Sequence, residues 1–232
     1  MADWFTFKNT TSTIFGVHVT TYPPITLPEE RVEFVTVPGR SGSLTITEGD
    51  VVYDDITISV ECLVKNLDAL DQISAWLRGR GDLVLGNRPN VYYKARIVNQ
   101  IEIEKLVRGR PHRTFAAVFR CAPFRYVYPA PAAIGFNASG SIANPGNVFS
   151  EPVITITGNG EIDLSIGNST LHLDDVNGSI TIDVPARLAY KDNLNQSFKL
   201  TGAWPVIPTG TSAVSWAGSV TRVSILPNWR NI

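Results

Sequence analysis

Sulfur and imidazole are scarce in this chain: of 232 residues two are cysteine, one is methionine and three are histidine. Two cysteines cannot build the disulfide framework of a small secreted domain. His18, His112 and His172 are scattered too widely for the ligand spacing of a zinc site. Charge is thin too, at 18% of residues and a net −1, and neither half leans basic. Before residue 128 there are 15 basic against 14 acidic residues, and after it 5 against 7. That balance lacks the cluster of excess Lys and Arg by which a nucleic-acid binder is read. No stretch approaches the roughly 18 consecutive apolar residues of a membrane span. The start, Met1-Ala2-Asp3-Trp4-Phe5-Thr6, carries an acid where a secretion signal carries lysines, and no apolar run follows it. Export by the standard route is therefore not expected.

What the chain does contain is alternation. Its hydrophobic share is 44%, and its length suffices for two modest domains with cores of their own. Short strands are predicted at Phe15–Val19, Glu33–Val37 and Ile56–Val64, with Pro23-Pro24 and Pro28 breaking the chain between the first two. One helix is predicted over about 66–79. Asn66 is its candidate N-cap, Asp68 and Asp71 sit near its positive end, and Gly79 or Gly81 stops it. Leu67, Leu70, Ile73, Trp76 and Leu77 recur at steps of three or four and form its buried stripe.

Strands follow at Asp82–Leu85, Val91–Val98, Gln100–Val107 and Arg113–Cys121, with Arg108–His112 as a solvated basic turn. Cys62 shares parity with Ile56, Ile58 and Val60, and Cys121 with Phe115, Ala117 and Phe119, so both thiols point into one core. Buried free thiols and a disulfide both fit that placement.

Composition shifts at Pro123–Pro131, which reads as a semi-rigid connector. Beyond it the pattern is all β, with strands at 153–157, 162–166, 169–173, 179–184, 198–201, 212–217 and 220–226. Turns are predicted at Gly158-Asn159-Gly160, Ile166-Gly167-Asn168, Asn177-Gly178 and Ala217-Gly218. That spacing suits a β-sandwich.

Candidate chemistry is sparse. Asp54-Asp55 and Asp174-Asp175 are adjacent pairs, which a strand sends to opposite faces, so neither makes a ready acid–base dyad. Gly39-Arg40-Ser41-Gly42 lacks the lysine and following helix of a phosphate-binding loop, and no Gly-x-Ser-x-Gly elbow occurs. The five Asn-x-Ser/Thr sites read as turn residues. Trp204 and Trp216 read as packing residues with sugar stacking as the alternative. Trp229 is either an exposed docking residue or a cap on the sandwich. No catalytic, metal or cofactor residue is assigned.

The more productive segment is residues 37–53, a long glycine-bearing arm that cannot bury itself on its own fold. Its candidate interface residues are Val37, Arg40, Leu44, Ile46 and Asp50. A closed ring needs one surface to meet a different surface on the next copy, and such an arm supplies half of that pair. Strand addition at a neighbour's sheet edge is the expected mode.

Several segments, taken in order, carry a family resemblance. In the first half these are Val37-Pro38-Gly39-Arg40-Ser41-Gly42, Ile56–Val64, Ala75-Trp76-Leu77, Tyr92-Tyr93-Lys94-Ala95 and Phe119–Phe124. In the second they are Asn144-Pro145-Gly146, Glu151–Ile154, Gly158-Asn159-Gly160, Ile180–Asp183 and Pro227-Asn228-Trp229-Arg230. In their order and spacing these segments resemble siphovirus distal tail proteins, and the resemblance implies a mainly β chain. Residues 1–128 would form a sandwich or split-barrel-like ring domain with one α-helix, and 129–232 a galectin-like or carbohydrate-module-like β-sandwich facing outward. It further implies a non-enzymatic virion hub at the tail tip, usually a hexamer, made and assembled in the host bacterial cytoplasm. Implied partners are copies of itself, the tail-tube protein, a tail-associated tip protein and receptor-binding proteins or fibres. Neither nucleic-acid sequence recognition nor membrane insertion is implied. The alternative function is a lectin-like adhesin gripping host saccharide through the second domain. The second half is short, without the large insertion that carries an added sugar-binding module in some members.

Overall fold

The computed structural model describes residues 2–47, 52–65, 67–103 and 112–232. The chain is mainly β and divides into two units, residues 1–125 with Ile232 and residues 126–231.

In the first unit, antiparallel strands lie in the order Thr10–Thr11, Phe5–Phe7, Arg80–Leu85, Arg88–Ile97, Arg113–Val127, Ile56–Val64 and Val17–Thr21. Ile56–Val64 and Arg113–Val127 form a continuous ladder, with Ile56 opposite Cys121 and Val64 opposite Arg113. Alternate residues of that ladder, from Ile58 and Val60 to Ala117 and Phe119, are buried, as period-2 patterning demands. The N-terminus closes the sheet toward a barrel. Asp3 accepts from Val19 N–H at 2.7 Å, and Trp4 accepts from Gly86 N–H at 2.9 Å, so residues 3 and 4 tie its two sides together.

The helix is shorter than its periodicity suggests. The 3-10 turn Leu67–Ala69 leads into Leu70–Trp76, and Leu77 leaves helical geometry before Gly79 takes a φ of +71°. Its proposed cap Asn66 lies outside the described residues. Trp76 organises the core: its ring stacks on Phe5 at 5.2 Å and its Nε1 donates to Phe7 O at 2.8 Å. Phe5 and Phe7 both meet Phe119 edge-on.

Cys62 and Cys121 are buried and free in this same core. Cys62 faces Phe115 while Cys121 faces Ile56, a six-residue offset along the ladder. At about 3.4 Å per residue that is roughly 20 Å, far beyond disulfide reach. Burial pushes each thiol up to about 12.

The segment Pro123–Val127, expected as connector, is the continuation of Arg113–Val127. Gln100–Ile103 is not a strand, and the rest of that expected strand and most of the basic turn lie outside the described residues.

The second unit corrects the sequence reading in an instructive way. Three of its four predicted turns are kinks inside long strands, Val153–Ile166, Ser169–Asp183 and Gly210–Leu226, while Gly167 alone turns the chain between hairpin strands. The first of these pairs with both others, and its register slips near residues 158–162. A bulge sharpens the local twist, so each strand bends and goes on pairing where a turn would have ended it. Gly218 shows why glycine is needed at such a bend. Its φ is +99°, and a Cβ there would meet Glu161 O at 2.2 Å. Both stretches of Val153–Ile166 bury residues in one core: Ile154 and Ile156 before the bend, Ile162, Leu164 and Ile166 after it.

Candidate assembly surface

The arm begins earlier than the sequence suggests. Val32–Thr36, overlapping the strand predicted at Glu33–Val37 ahead of the arm, pairs with Ser43–Thr47 to form a two-stranded sheet separate from both large ones. Its stem is fastened. Arg31 N–H donates to Val52 O at 2.7 Å, Asp54 N–H to Glu29 O at 2.9 Å, and Glu30 bridges Tyr53. The Arg31 guanidinium adds two hydrogen bonds to Asp54 Oδ1, at 2.9 and 2.6 Å. The Tyr53 ring stands edge-on to Phe124.

Beyond this stem the blade is bare. Ser43–Thr47 is exposed at every position, and Val32–Thr36 has no buried residue. An isolated two-stranded hairpin is marginal in water. This one also presents large apolar groups to solvent: Phe34 is 66% exposed, Ile46 44% and Leu44 39%. Among the described residues, half of the twelve exposed large hydrophobic ones fall between Ile25 and Ile46, whereas surface hydrophobes of no consequence are scattered singly.

The register explains which candidates meet. Val35 lies opposite Leu44 and Glu33 opposite Ile46, so Leu44, Ile46 and Val35 share one face, with Val37 continuing it. Phe34, opposite Thr45, heads the other face and was missed by sequence reasoning, which started the arm at residue 37. Arg40 occupies the tip, where its N–H donates to Val37 O at 3.2 Å and Gly39 supplies the positive φ of the turn. Asp50 lies outside the described residues.

The tryptophans of the second unit have different surroundings. Trp229 is 8% exposed and belongs to the core, leaving no open ring face for docking. Trp204 and Trp216 are half-buried against the same core, and the Arg187 guanidinium lies 5.7 Å from the Trp204 ring centre. The tail that carries Trp229 is a structural clasp. Arg230 is buried, donates from Nε to Phe149 O and from Nη1 to Glu151 Oε2, both at 2.8 Å, and covers the Phe149 ring. Asn228 Nδ2 donates to Glu151 O at 2.9 Å, while Asn144 accepts from Gly146 N–H and donates to Val148 O. Asn144-Pro145-Gly146, Glu151-Pro152 and Pro227–Arg230, distant in sequence, thus close one corner.

On the outer face of this unit His172 sits between two carboxylates, Nδ1 at 2.6 Å from Asp163 and Nε2 at 3.1 Å from Asp174. Hydrogen bonds to Asp163 first and Asp174 second raise its pKa above the ordinary histidine value. Among the described residues no group of three His, Cys, Asp or Glu is placed to hold a metal ion.

The chain thus joins a β unit with one short helix to a second β unit of long bent strands. Among solved structures the chain is similar to the SPP1 Dit (gp 19.1) protein, described as a paradigm of the hub adsorption apparatus in phages that infect Gram-positive bacteria. The likeness covers 97% of this chain and 98% of that one, with a TM-score of 0.74 and 13% sequence identity. At that identity the shared property is the fold. No protein-family model and no curated protein matches the sequence.

Proposed function

We propose that this chain is a structural hub of a long, non-contractile phage tail, assembling as a ring at the distal end of the tail tube. The observation that carries the reading is the fold likeness to a tail hub protein along both units rather than one. The fastened stem and bare apolar blade of the 32–47 hairpin support it independently, because such a blade gains stability only by contact outside its own fold. In this reading residues 1–128 build the ring, a hexamer by resemblance, and residues 129–232 face outward. The tail-tube protein abuts one side, the tail-associated tip protein the other, and receptor-binding proteins or fibres attach around the rim. The role is architectural, with no bond made or broken, and the site of action is the virion tail tip after assembly in the host cytoplasm. Negative-stain images of the purified protein test it: rings with an open centre are expected, and a field of single compact particles at every concentration would refute it.

A further inference from the structure

The ring reading leaves open where the arm goes, and the first unit holds a surface that fits it. A trough of about 800 Å³ crosses the outer face of the sheet, lined by Arg80, Lys94, Arg96 and Arg120 with Asp55 and Asp82. Four basic groups against two acidic ones leave it at +2. The cross-strand register makes this arrangement costly for an isolated subunit. Asp82 stands opposite Lys94, but Arg80 stands directly opposite Arg96. Like charges facing each other across a ladder are destabilising. Among the described residues neither Arg80 nor Arg96 forms an ion pair with a carboxylate, and Arg120 pairs with Asp55 at 2.7 Å. Both unmatched arginines are exposed.

The arm has the opposite charge. Among the described arm residues Glu29, Glu30 and Glu33 stand against Arg40, the charge of Arg31 being matched by Asp54. Glu29, Glu30 and Glu33 are exposed, and Glu33 shares a hairpin face with Leu44 and Ile46. Acid and apolar group therefore advance together on one side of the blade. The floor of the trough suits such a face: Gly81, Ala95 and Ala122 are small and leave room between the basic side chains.

We infer that the acidic hairpin arm of one copy docks in the basic trough of the next copy. Resting on the ring reading, this contact deepens it by naming the acceptor. It joins two different surfaces, which is the kind of interface that closes a ring. Carboxylates of the arm separate Arg80 from Arg96, so a repulsion inside the free subunit becomes two charge-assisted contacts in the assembly. A contact of this kind sets register and encounter rate and weakens with salt.

The test combines charge reversal with zero-length cross-linking. In Arg80→Glu/Arg96→Glu the concentration midpoint of assembly, followed by sedimentation velocity, is expected to rise at least tenfold. Mixing this variant with Glu30→Arg/Glu33→Arg copies should restore assembly that neither shows alone. On the wild-type protein, carbodiimide treatment of mixed ¹⁴N and ¹⁵N copies should link Lys94 of one copy to an arm carboxylate of another, a readout independent of variant folding. Rings of Arg80→Glu/Arg96→Glu forming at the wild-type midpoint, or the absence of any Lys94-to-arm cross-link in assembled wild type, would overturn the docking while leaving the ring intact. DNA held by the trough in assembled rings and lost in the double variant would likewise overturn it. Wild-type protein that never assembles would remove the ring reading itself.

Discussion

Replacing Phe34 with alanine separates folding from assembly more cleanly than any other change to the arm. The ring is 66% exposed, in a hairpin that pairs with neither large sheet. An aromatic side chain presents about 200 Å², so roughly 130 Å² remains to be buried by a neighbour, worth about 3 kcal/mol at ~25 cal/mol per Å². Alanine retains a fraction of that, leaving a loss of about 2 kcal/mol for each contact, or about thirtyfold in its equilibrium constant. The monomer loses almost nothing, since surface substitutions away from buried features stay within about 0.5 kcal/mol. Sedimentation velocity across a dilution series should show the assembly midpoint displaced by about that factor, while thermal unfolding of the dissociated protein is unchanged. A midpoint within threefold of wild type would refute the claim that this face is buried between copies. A large fall in monomer stability would refute the claim that the blade is energetically detached.

Three other outcomes follow from the interior and from titratable groups. Arg230→Leu leaves Glu151 without its buried partner and strips the clasp of two donors. Breaking such a pair costs about 3–5 kcal/mol, so calorimetry should show melting lowered by ten degrees or more. The two thiols, pushed up to about 12 by burial from an ordinary 9.0, stay protonated in the folded chain while those of the unfolded chain ionise. Their contribution is therefore intact below pH 9 and is lost as pH rises from 9 toward 12, by about 1.4 kcal/mol per thiol at pH 10. Denaturant titrations should show that slope reduced in Cys62→Val, and a thiol reagent should label neither cysteine until the protein unfolds. His172, raised by Asp163 and Asp174, stabilises the fold when charged; its contribution is complete below the unfolded histidine value and disappears as pH climbs through the raised one. Proton NMR should find it titrating above 6.5, and lower in Asp163→Asn.

Much of the first unit was legible because its signals are local. Ile56–Val64 alternates without interruption, and the parity of Cys62 and Cys121 follows from the strands that carry them. The arm was half visible. Its glycine turn stood out, but Glu33-Phe34-Val35 is made of good strand formers, and propensity does not say whether a strand has a second layer to pack on. The glycine-bearing segments of the second unit misled for a related reason. Asn177-Gly178 and Ala217-Gly218 satisfy the local chemistry of a hairpin turn, yet partners on either side keep the ladder intact and convert a turn into a bend. Sequence left Trp229 open between a docking residue and a cap on the sandwich, and the basic trough was invisible for want of proximity. Arg80, Lys94, Arg96 and Arg120 come together only through strand register, a long-range property.

The account depends most on identical copies closing on one another, and measuring mass against concentration addresses that directly. Sedimentation equilibrium or native mass spectrometry should find one discrete assembly, a fixed multiple of the 25.4 kDa chain that stops growing once formed. Monomers persisting to millimolar concentration, or a ladder of ever-longer oligomers, would contradict it.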